Sequence, residues 1–68
     1  MDSEVVQEMS YLVGETVESL EGSAASIDAL IREGTLERDV RVRLFAVRDA
    51  VCVCAGRLDS LSDLIDLL

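Results

Sequence analysis

The sequence predicts an all-α fold in which two long helices form an antiparallel hairpin. The first observation is an unbroken alternation of three- and four-residue steps between apolar residues in the second half of the chain. The second is an apolar stripe at helical spacing in the first half, and the third is Gly34-Thr35 between the halves of a chain without proline. A chain of 68 residues has room for one domain, so we expect residues 1–68 to form a single helical hairpin.

The first helix is predicted to begin near Ser3. Serine is a suitable N-cap, and Glu4 places a negative charge in the first turn, where the helix dipole favours it. Apolar side chains and one threonine then recur at helical spacing, at Val5, Val6, Met9, Leu12, Val13, Thr16, Val17 and Leu20. Because acids occupy the other face, the pattern predicts an amphipathic helix.

Gly22 leaves two alternatives for the rest of this helix. Gly22 could end it, with Ser23 as the N-cap of a short second helix. The apolar stripe nevertheless continues in phase through Leu20, Ala24, Ile27 and Ile31. One internal glycine costs only about 1 kcal/mol relative to alanine. We therefore favour one helix over about 3–33, with a kink or break at Gly22 as the alternative.

The second helix is predicted over about 36–67. Gly34 suits the position after the end of a helix, where the backbone adopts the left-handed conformation, and Thr35 suits the N-cap of the next helix. The apolar residues of its repeat are Val40, Leu44, Val47, Val51, Cys54, Leu58, Leu61, Ile65 and Leu68. Such a repeat is typical of a seam against a partner helix. A connection this short makes the two helices antiparallel neighbours.

The charges suggest how the two helices are aligned. In a hairpin that turns at Gly34, Asp28 lies level with Arg41, and Glu21 lies level with Arg48. Both pairs bring an acid to a base across the seam. Exposed pairs contribute only about 0.2–1 kcal/mol each, so they indicate the register more than they stabilise the fold.

Apolar residues go round the whole circumference of the middle of the second helix, at Ala46, Val47, Ala50, Val51, Cys52, Val53, Cys54 and Ala55. One partner helix cannot cover such a helix, so we expect two hairpins to form a homodimeric four-helix bundle. The predicted dimer or partner interface comprises Val42, Phe45, Ala46, Val51, Cys52 and Val53. The alternative is that a different protein docks on this flank of the helix.

The net charge of −8 is unevenly distributed. Residues 1–31 contain seven acids and no base, whereas all six bases are arginines between Arg32 and Arg57. An acidic protein repels nucleic acid and anionic lipid, so neither is expected as a partner. The Arg38–Arg48 cluster is the single basic exception, but acids interleave it and Phe45 is its only aromatic residue. Direct nucleic-acid binding through this cluster is the least favoured hypothesis.

A second predicted surface combines acids with leucines. The free ends of both helices are rich in acids, and the sequence Leu64-Ile65-Asp66-Leu67-Leu68 matches a short helix-in-groove motif. The predicted partner-binding acidic and apolar surface comprises Glu15, Glu18, Asp59, Asp63, Leu64, Asp66 and Leu67. The plainer interpretation is a solvated acidic end beside the last apolar turn of the seam.

The sequence offers little for catalysis or cofactor binding. It contains no histidine and no glycine-rich phosphate loop. Cys52 and Cys54 are two residues apart, so on a helix they point about 200° away from each other and cannot chelate one metal ion. We expect no enzyme activity, no catalytic residue, no metal and no cofactor.

Three features favour a cytoplasmic location without membrane contact. The acidic start of the chain, residues 1–4, lacks the positive charge of a signal peptide. No uncharged run in the second helix approaches the roughly 20 residues of a membrane span. Two cysteines are too few for a disulfide framework.

These observations favour a non-enzymatic, acidic protein-binding module that acts as a helical homodimer. It would serve as a regulator, adaptor, chaperone or inhibitor of a protein that the sequence does not identify. The alternative is an acidic decoy of the kind phages use, in which ordered carboxylates imitate nucleic acid and occupy the groove of a basic nucleic-acid-binding protein.

Overall fold

A computed structural model describes residues 2–68 as two helices, α1 (Ser3–Arg32) and α2 (Arg38–Asp66), joined by residues 33–37. The helices run antiparallel and pack along their length, which confirms the predicted all-α hairpin. The Cα trace extends 51 Å along the helices and 14 by 11 Å across them. This length follows from the helical rise of about 1.5 Å per residue.

The start of α1 differs from the predicted detail, whereas its middle confirms the favoured single helix. Asp2 is the N-cap, because its carboxylate accepts a 2.9 Å hydrogen bond from the backbone N–H of Glu4, and Ser3 is the first helical residue. The helix continues through Gly22 without a break. The hydroxyl of Ser23 donates to the carbonyl of Ser19, as expected of a serine inside a helix, so Ser23 does not cap a new one.

The connection between the helices is longer than predicted. Gly34 has φ +72°, the left-handed conformation that terminates a helix, as expected. However, Thr35 is not the next N-cap: Glu37 is, without a side-chain capping bond, and α2 begins at Arg38. Packed helix axes lie about 8–10 Å apart, and an extended residue spans about 3.3 Å, so about three residues are needed to cross between them.

A narrow seam of buried and half-buried residues joins the helices. In α1 this seam comprises Val6, Ser10, Val13, Val17, Leu20, Ala24, Ile27 and Ile31. In α2 it comprises Arg41, Leu44, Arg48, Val51, Ala55, Leu58, Ser62 and Ile65. Both sets advance by alternating steps of three and four residues, which keeps one stripe of each helix against the other.

The seam of α2 is rotated by about one residue from the predicted one. The predicted positions Leu44, Val51, Leu58 and Ile65 do face α1. The other predicted positions are exposed, namely Val40, Val47, Cys54, Leu61 and Leu68. Their places are taken by Arg41, Arg48, Ala55 and Ser62. Alanine and serine allow close approach of the helices, and the apolar stems of Arg41 and Arg48 line the seam while their guanidinium groups find partners at Leu36 and Asp28.

The ion pairing across the seam also differs from the predicted one. Arg48 Nη1 lies 2.6 Å from Asp28 Oδ1, whereas the prediction paired Arg48 with Glu21 and Asp28 with Arg41. Long side chains on a helix lean towards its N-terminus. For α2 this direction leads towards the connection, so Arg48 reaches an acid about two helical turns farther along α1 than the one predicted.

Candidate functional site

One broad face of the hairpin carries no acidic residue, and we call it the acid-free face. It lies beside the seam, because helical geometry places the residues that directly precede the seam residues on this one side in both helices. In α1 the acid-free face comprises Val5, Met9, Leu12, Thr16, Ser19, Ser23, Ser26 and Leu30. In α2 it comprises Val40, Arg43, Val47, Ala50, Cys54, Arg57, Leu61, Leu64 and Leu68. All fourteen acids of the chain lie elsewhere.

An apolar groove of about 650 Å³ occupies the end of this face farthest from the connection. Its lining residues are Met9, Leu12, Val13, Leu61, Leu64, Ile65 and Leu68. Side chains of both helices line it, which shows that the two halves of the acid-free face lie on the same side of the hairpin. The groove therefore offers a hydrophobic surface to which a side chain or a helix of another molecule could bind.

The opposite face is acidic, and we call it the acidic face. Its acids are Glu4, Glu18, Glu21, Asp28, Asp49, Asp59, Asp63 and Asp66. Asp28 is half-buried beside the seam, and the others are exposed. Asp59, Asp63 and Asp66 occupy successive turns of α2, which aligns their carboxylates along one edge. The hairpin thus has an acidic face and an opposite face without acids, in addition to the apolar stripe that each helix buries in the seam.

The arginine cluster is not one exposed basic patch. Arg48 is half-buried and its guanidinium contacts Asp28, with Asp49 at 3.3 Å and the Phe45 ring centroid at 4.9 Å. The hydrogen bond to Asp28, followed by the one to Asp49, raises the pKa of Arg48 above its ordinary value. Each contact favours the charged guanidinium.

Arg41 also turns inwards, towards the seam. Its Nη2 donates to the Leu36 carbonyl at 3.4 Å, and its Nε is buried without a hydrogen-bond partner. Two arginines of the Arg38–Arg48 cluster are therefore engaged with the hairpin itself. The charge available to an external phosphate is correspondingly reduced.

The predicted interface residues lie on the sides of α2 that face away from the acid-free face, except for one in the seam. Val51 is half-buried against α1. Val42, Phe45 and Cys52 lie on the acidic face, with Phe45 38% exposed. The other two, Ala46 and Val53, lie on the outer side of α2 and are exposed. Their role in an interface remains a prediction.

The predicted partner-binding residues do not form one surface. The three predicted aspartates, Asp59, Asp63 and Asp66, share the acidic face. Leu64 lines the groove and is 61% exposed, whereas Leu67 caps α2 on its outer side and is 83% exposed. In α1, Glu18 lies on the acidic face, and Glu15 lies on the outer side, where it accepts a 2.8 Å hydrogen bond from Tyr11.

The sequence prediction misses the groove because Leu61, Ile65 and Leu68 belong to the predicted seam of α2 and Leu64 belongs to the short motif. Met9 and Leu12 likewise belong to the predicted apolar stripe of α1. A signal for the groove exists in the sequence: the positions beside the seam lack acids on one side in both helices. The missing acids indicate a second face of low charge beside the seam.

Reactive groups in the described chain are few. Cys52 and Cys54 are free and exposed, Cys52 on the acidic face and Cys54 on the acid-free face. Within residues 2–68, no three side chains of Cys, Asp or Glu are grouped to hold a metal ion. Neither described helix combines the length and apolar character needed to cross a bilayer. The binding surfaces are therefore the features from which a function can be argued.

Comparison of the chain with models of protein families, with curated proteins and with solved structures found no match.

Proposed function

We propose that the chain is a non-enzymatic, acidic protein-binding module that acts as a homodimer of helical hairpins. It would serve as a regulator, adaptor, chaperone or inhibitor of another protein. The observation that carries this proposal is the thinness of the core. Among residues 2–68, only Val17, Ala55 and Ile65 are buried apolar residues, while thirteen large apolar side chains are exposed.

The accessible surface supports the homodimer. A compact monomer of 7.4 kDa exposes about 4,200 Å², whereas the hairpin exposes 5166 Å². Its radius of gyration is 15.7 Å, compared with about 11 Å for a compact chain of this length. The excess surface, about 950 Å², is slightly more than the roughly 800 Å² that each partner buries in a standard protein interface. A second hairpin would supply the covering that one hairpin lacks.

The acidic face and the exposed apolar flank of α2 are the surfaces offered to a different protein. Asp59 and Asp63 lie on the free half of α2, whose outer side carries the exposed apolar side chains of Val53 and Leu67. A partner with a basic, partly apolar surface would complement both. The acids would accelerate encounter, and the apolar contacts would hold the complex.

Sedimentation equilibrium tests the homodimer. We expect a species of twice 7.4 kDa at micromolar concentration. A folded species that stays at 7.4 kDa under these conditions would refute the homodimer. Chemical cross-linking in extracts of the source cell, followed by mass spectrometry, tests the partner. The protein with Asp59→Asn and Asp63→Asn should lose that partner while it still dimerises.

A decoy that imitates nucleic acid is the second candidate. It is favoured by the exposed carboxylates of α1, where Glu4, Glu8, Glu15 and Glu18 are held on one uninterrupted helix. Binding of such a decoy to a basic protein should weaken steeply as salt rises, because exposed charges are screened within about 8 Å at physiological ionic strength. Binding through apolar contacts should change little, so a salt titration distinguishes the two candidates.

The proposal places the protein in the cytoplasm. Both cysteines are free in the structure, and a reducing compartment keeps thiols in that state. Fractionation of the source cell with an antibody against the chain tests this location.

A further inference from the structure

We propose that the acid-free face is the dimer interface and that the two hairpins pack in opposite directions. The free ends of one hairpin then lie over the connection of the other, and α2 packs against α2 of its partner. This inference rests on the proposed homodimer and specifies its interface and orientation. It differs from the interface predicted from the sequence, which lies mostly on the other sides of α2.

The charge distribution selects the face. Association removes charges from water at a cost, so the centre of an interface is depleted of charged residues. On the acid-free face the only charged residues are Arg43 and Arg57, and both lie on one edge of α2. The acidic face carries eight acids, and pressing two copies of it together would oppose like charges. The groove near Leu12 and Leu64 adds exposed apolar surface for a partner to cover.

The orientation follows from the difference between the two halves of the hairpin. The free half, residues 2–17 and 53–68, carries seven acids and one arginine, a net charge of −6. The connected half, residues 18–52, carries seven acids and five arginines, a net charge of −2. Packing in the same direction would place the two −6 halves about 10 Å apart, close to one Debye length. Packing in opposite directions sets each −6 half against a −2 half.

The position of Cys54 allows a direct test of this arrangement. The midpoint of α2 is residue 52, so a two-fold axis through the bundle centre passes near it. Cys54 lies on the acid-free face just beyond that midpoint, and its partner copy is offset by about 6 Å along the axis. The two thiols then approach each other across the α2–α2 contact. In the same-direction arrangement, α2 packs on the partner's α1, and the two Cys54 residues are about 14 Å apart on the bundle diagonal.

Cys52 is the matched control, because it lies on the acidic face of the same helix turn. We would treat the full chain with bis-maleimidoethane, a short thiol cross-linker, after confirming the helix content and the dimer of each variant. Cys52→Ser, which retains Cys54, should give cross-linked dimer. Cys54→Ser, which retains Cys52, should give at least about tenfold less, because its remaining thiol points away from the interface.

Each outcome has a distinct meaning. Strong cross-linking that requires Cys54 supports both the face and the orientation. A dimer that does not cross-link through Cys54, or that cross-links equally through Cys52, overturns this interface and leaves the homodimer standing. A folded monomer in sedimentation overturns both proposals.

A spin-label distance tests the orientation independently of cross-linking. In a background with Cys52→Ser and Cys54→Ser, a nitroxide would be attached through Asp63→Cys near the free end of α2. Opposite packing separates the two labels by about 33 Å along the axis alone, whereas same-direction packing leaves only their lateral separation of about 20–25 Å. Pulsed electron paramagnetic resonance should show the longer distance. The shorter one would overturn the orientation.

Discussion

The guanidinium of Arg48 lies 2.6 Å from the carboxylate of Asp28 and forms the ion pair that links α2 to α1. Both side chains keep about a third of their surface in water, at 28% and 34% exposure. The pair therefore joins the two helices without a large desolvation cost. Arg48 also contacts the face of Phe45, which restricts its orientation.

Removal of this ion pair should destabilise the hairpin only slightly. We expect Asp28→Asn to cause only a small fall in the midpoint of urea unfolding, because solvent screens a partly exposed pair. The raised pKa keeps Arg48 protonated at neutral pH, so its contribution to stability is constant there. A cation whose pKa is raised in the folded state loses its stabilising effect only as the pH rises towards that pKa. Urea unfolding at neutral pH, followed by circular dichroism at fixed protein concentration, measures the change.

Asp49→Asn is the control for the Asp28 variant. Asp49 lies next to Arg48 in the same helix, so its loss leaves the contact between Arg48 and Asp28 across the helices intact. It should change the unfolding free energy less than Asp28→Asn does. Equal effects of the two substitutions would show that the inter-helix pair does not hold the helices together.

Arg41 should be a site of stabilising substitution. Its Nε is buried without a hydrogen-bond partner, and an unsatisfied buried donor costs about 1–3 kcal/mol. Leucine would fill the same seam position with apolar surface, so Arg41→Leu should stabilise the hairpin by about 1 kcal/mol. Arg38→Leu is the control, because Arg38 is exposed at the start of α2. An Arg41→Leu protein that melts below the unmodified one would contradict this account.

Two glycines should respond in opposite ways to alanine. Gly34 has φ +72°, where a Cβ atom costs about 1–2 kcal/mol, so Gly34→Ala should destabilise the hairpin by about that amount. Gly22 lies inside α1 and an added Cβ meets no atom within 4 Å. Gly22→Ala should therefore stabilise the hairpin by about 0.5–1 kcal/mol. Thermal unfolding of both variants at one protein concentration checks the sign of each change, and two changes of the same sign would contradict the assigned conformations.

The hairpin was predictable because its signals are strong and local. The three–four spacing around Leu44 and Val51 indicates a helix with a partner, and Gly34 marks where the chain reverses. The rotation of the seam was not predictable from hydrophobicity, since the apolar stripe of α2 is wider than one helix can cover. Arg48 occupies a seam position that Val47 was expected to fill, because its long stem packs while its charge reaches Asp28.

The sequence marks the acid-free face only by the absence of acids. Its α1 half contains Ser19, Ser23 and Ser26, so no apolar stripe marks it. The structure shows that Met9 and Leu12 of this half line one groove together with Leu61 and Leu64 of α2. Function is harder to predict than fold here, because recognition depends on which exposed surface a partner covers.

A charge on the acid-free face should dissociate the dimer. We expect Leu61→Asp to shift the protein from twice its chain mass to the monomer, because Leu61 lines the groove and the aspartate would be buried without a partner in the proposed interface. Val53→Asp is the matched control: Val53 is similarly exposed on the same helix but lies on the outer side, so this variant should still dimerise. Both are measured by sedimentation equilibrium, with circular dichroism to confirm that the helices persist. If Val53→Asp dissociates the dimer and Leu61→Asp does not, the interface lies on the side of α2 that the sequence predicted. The acid-free face would then be the surface available to a different protein.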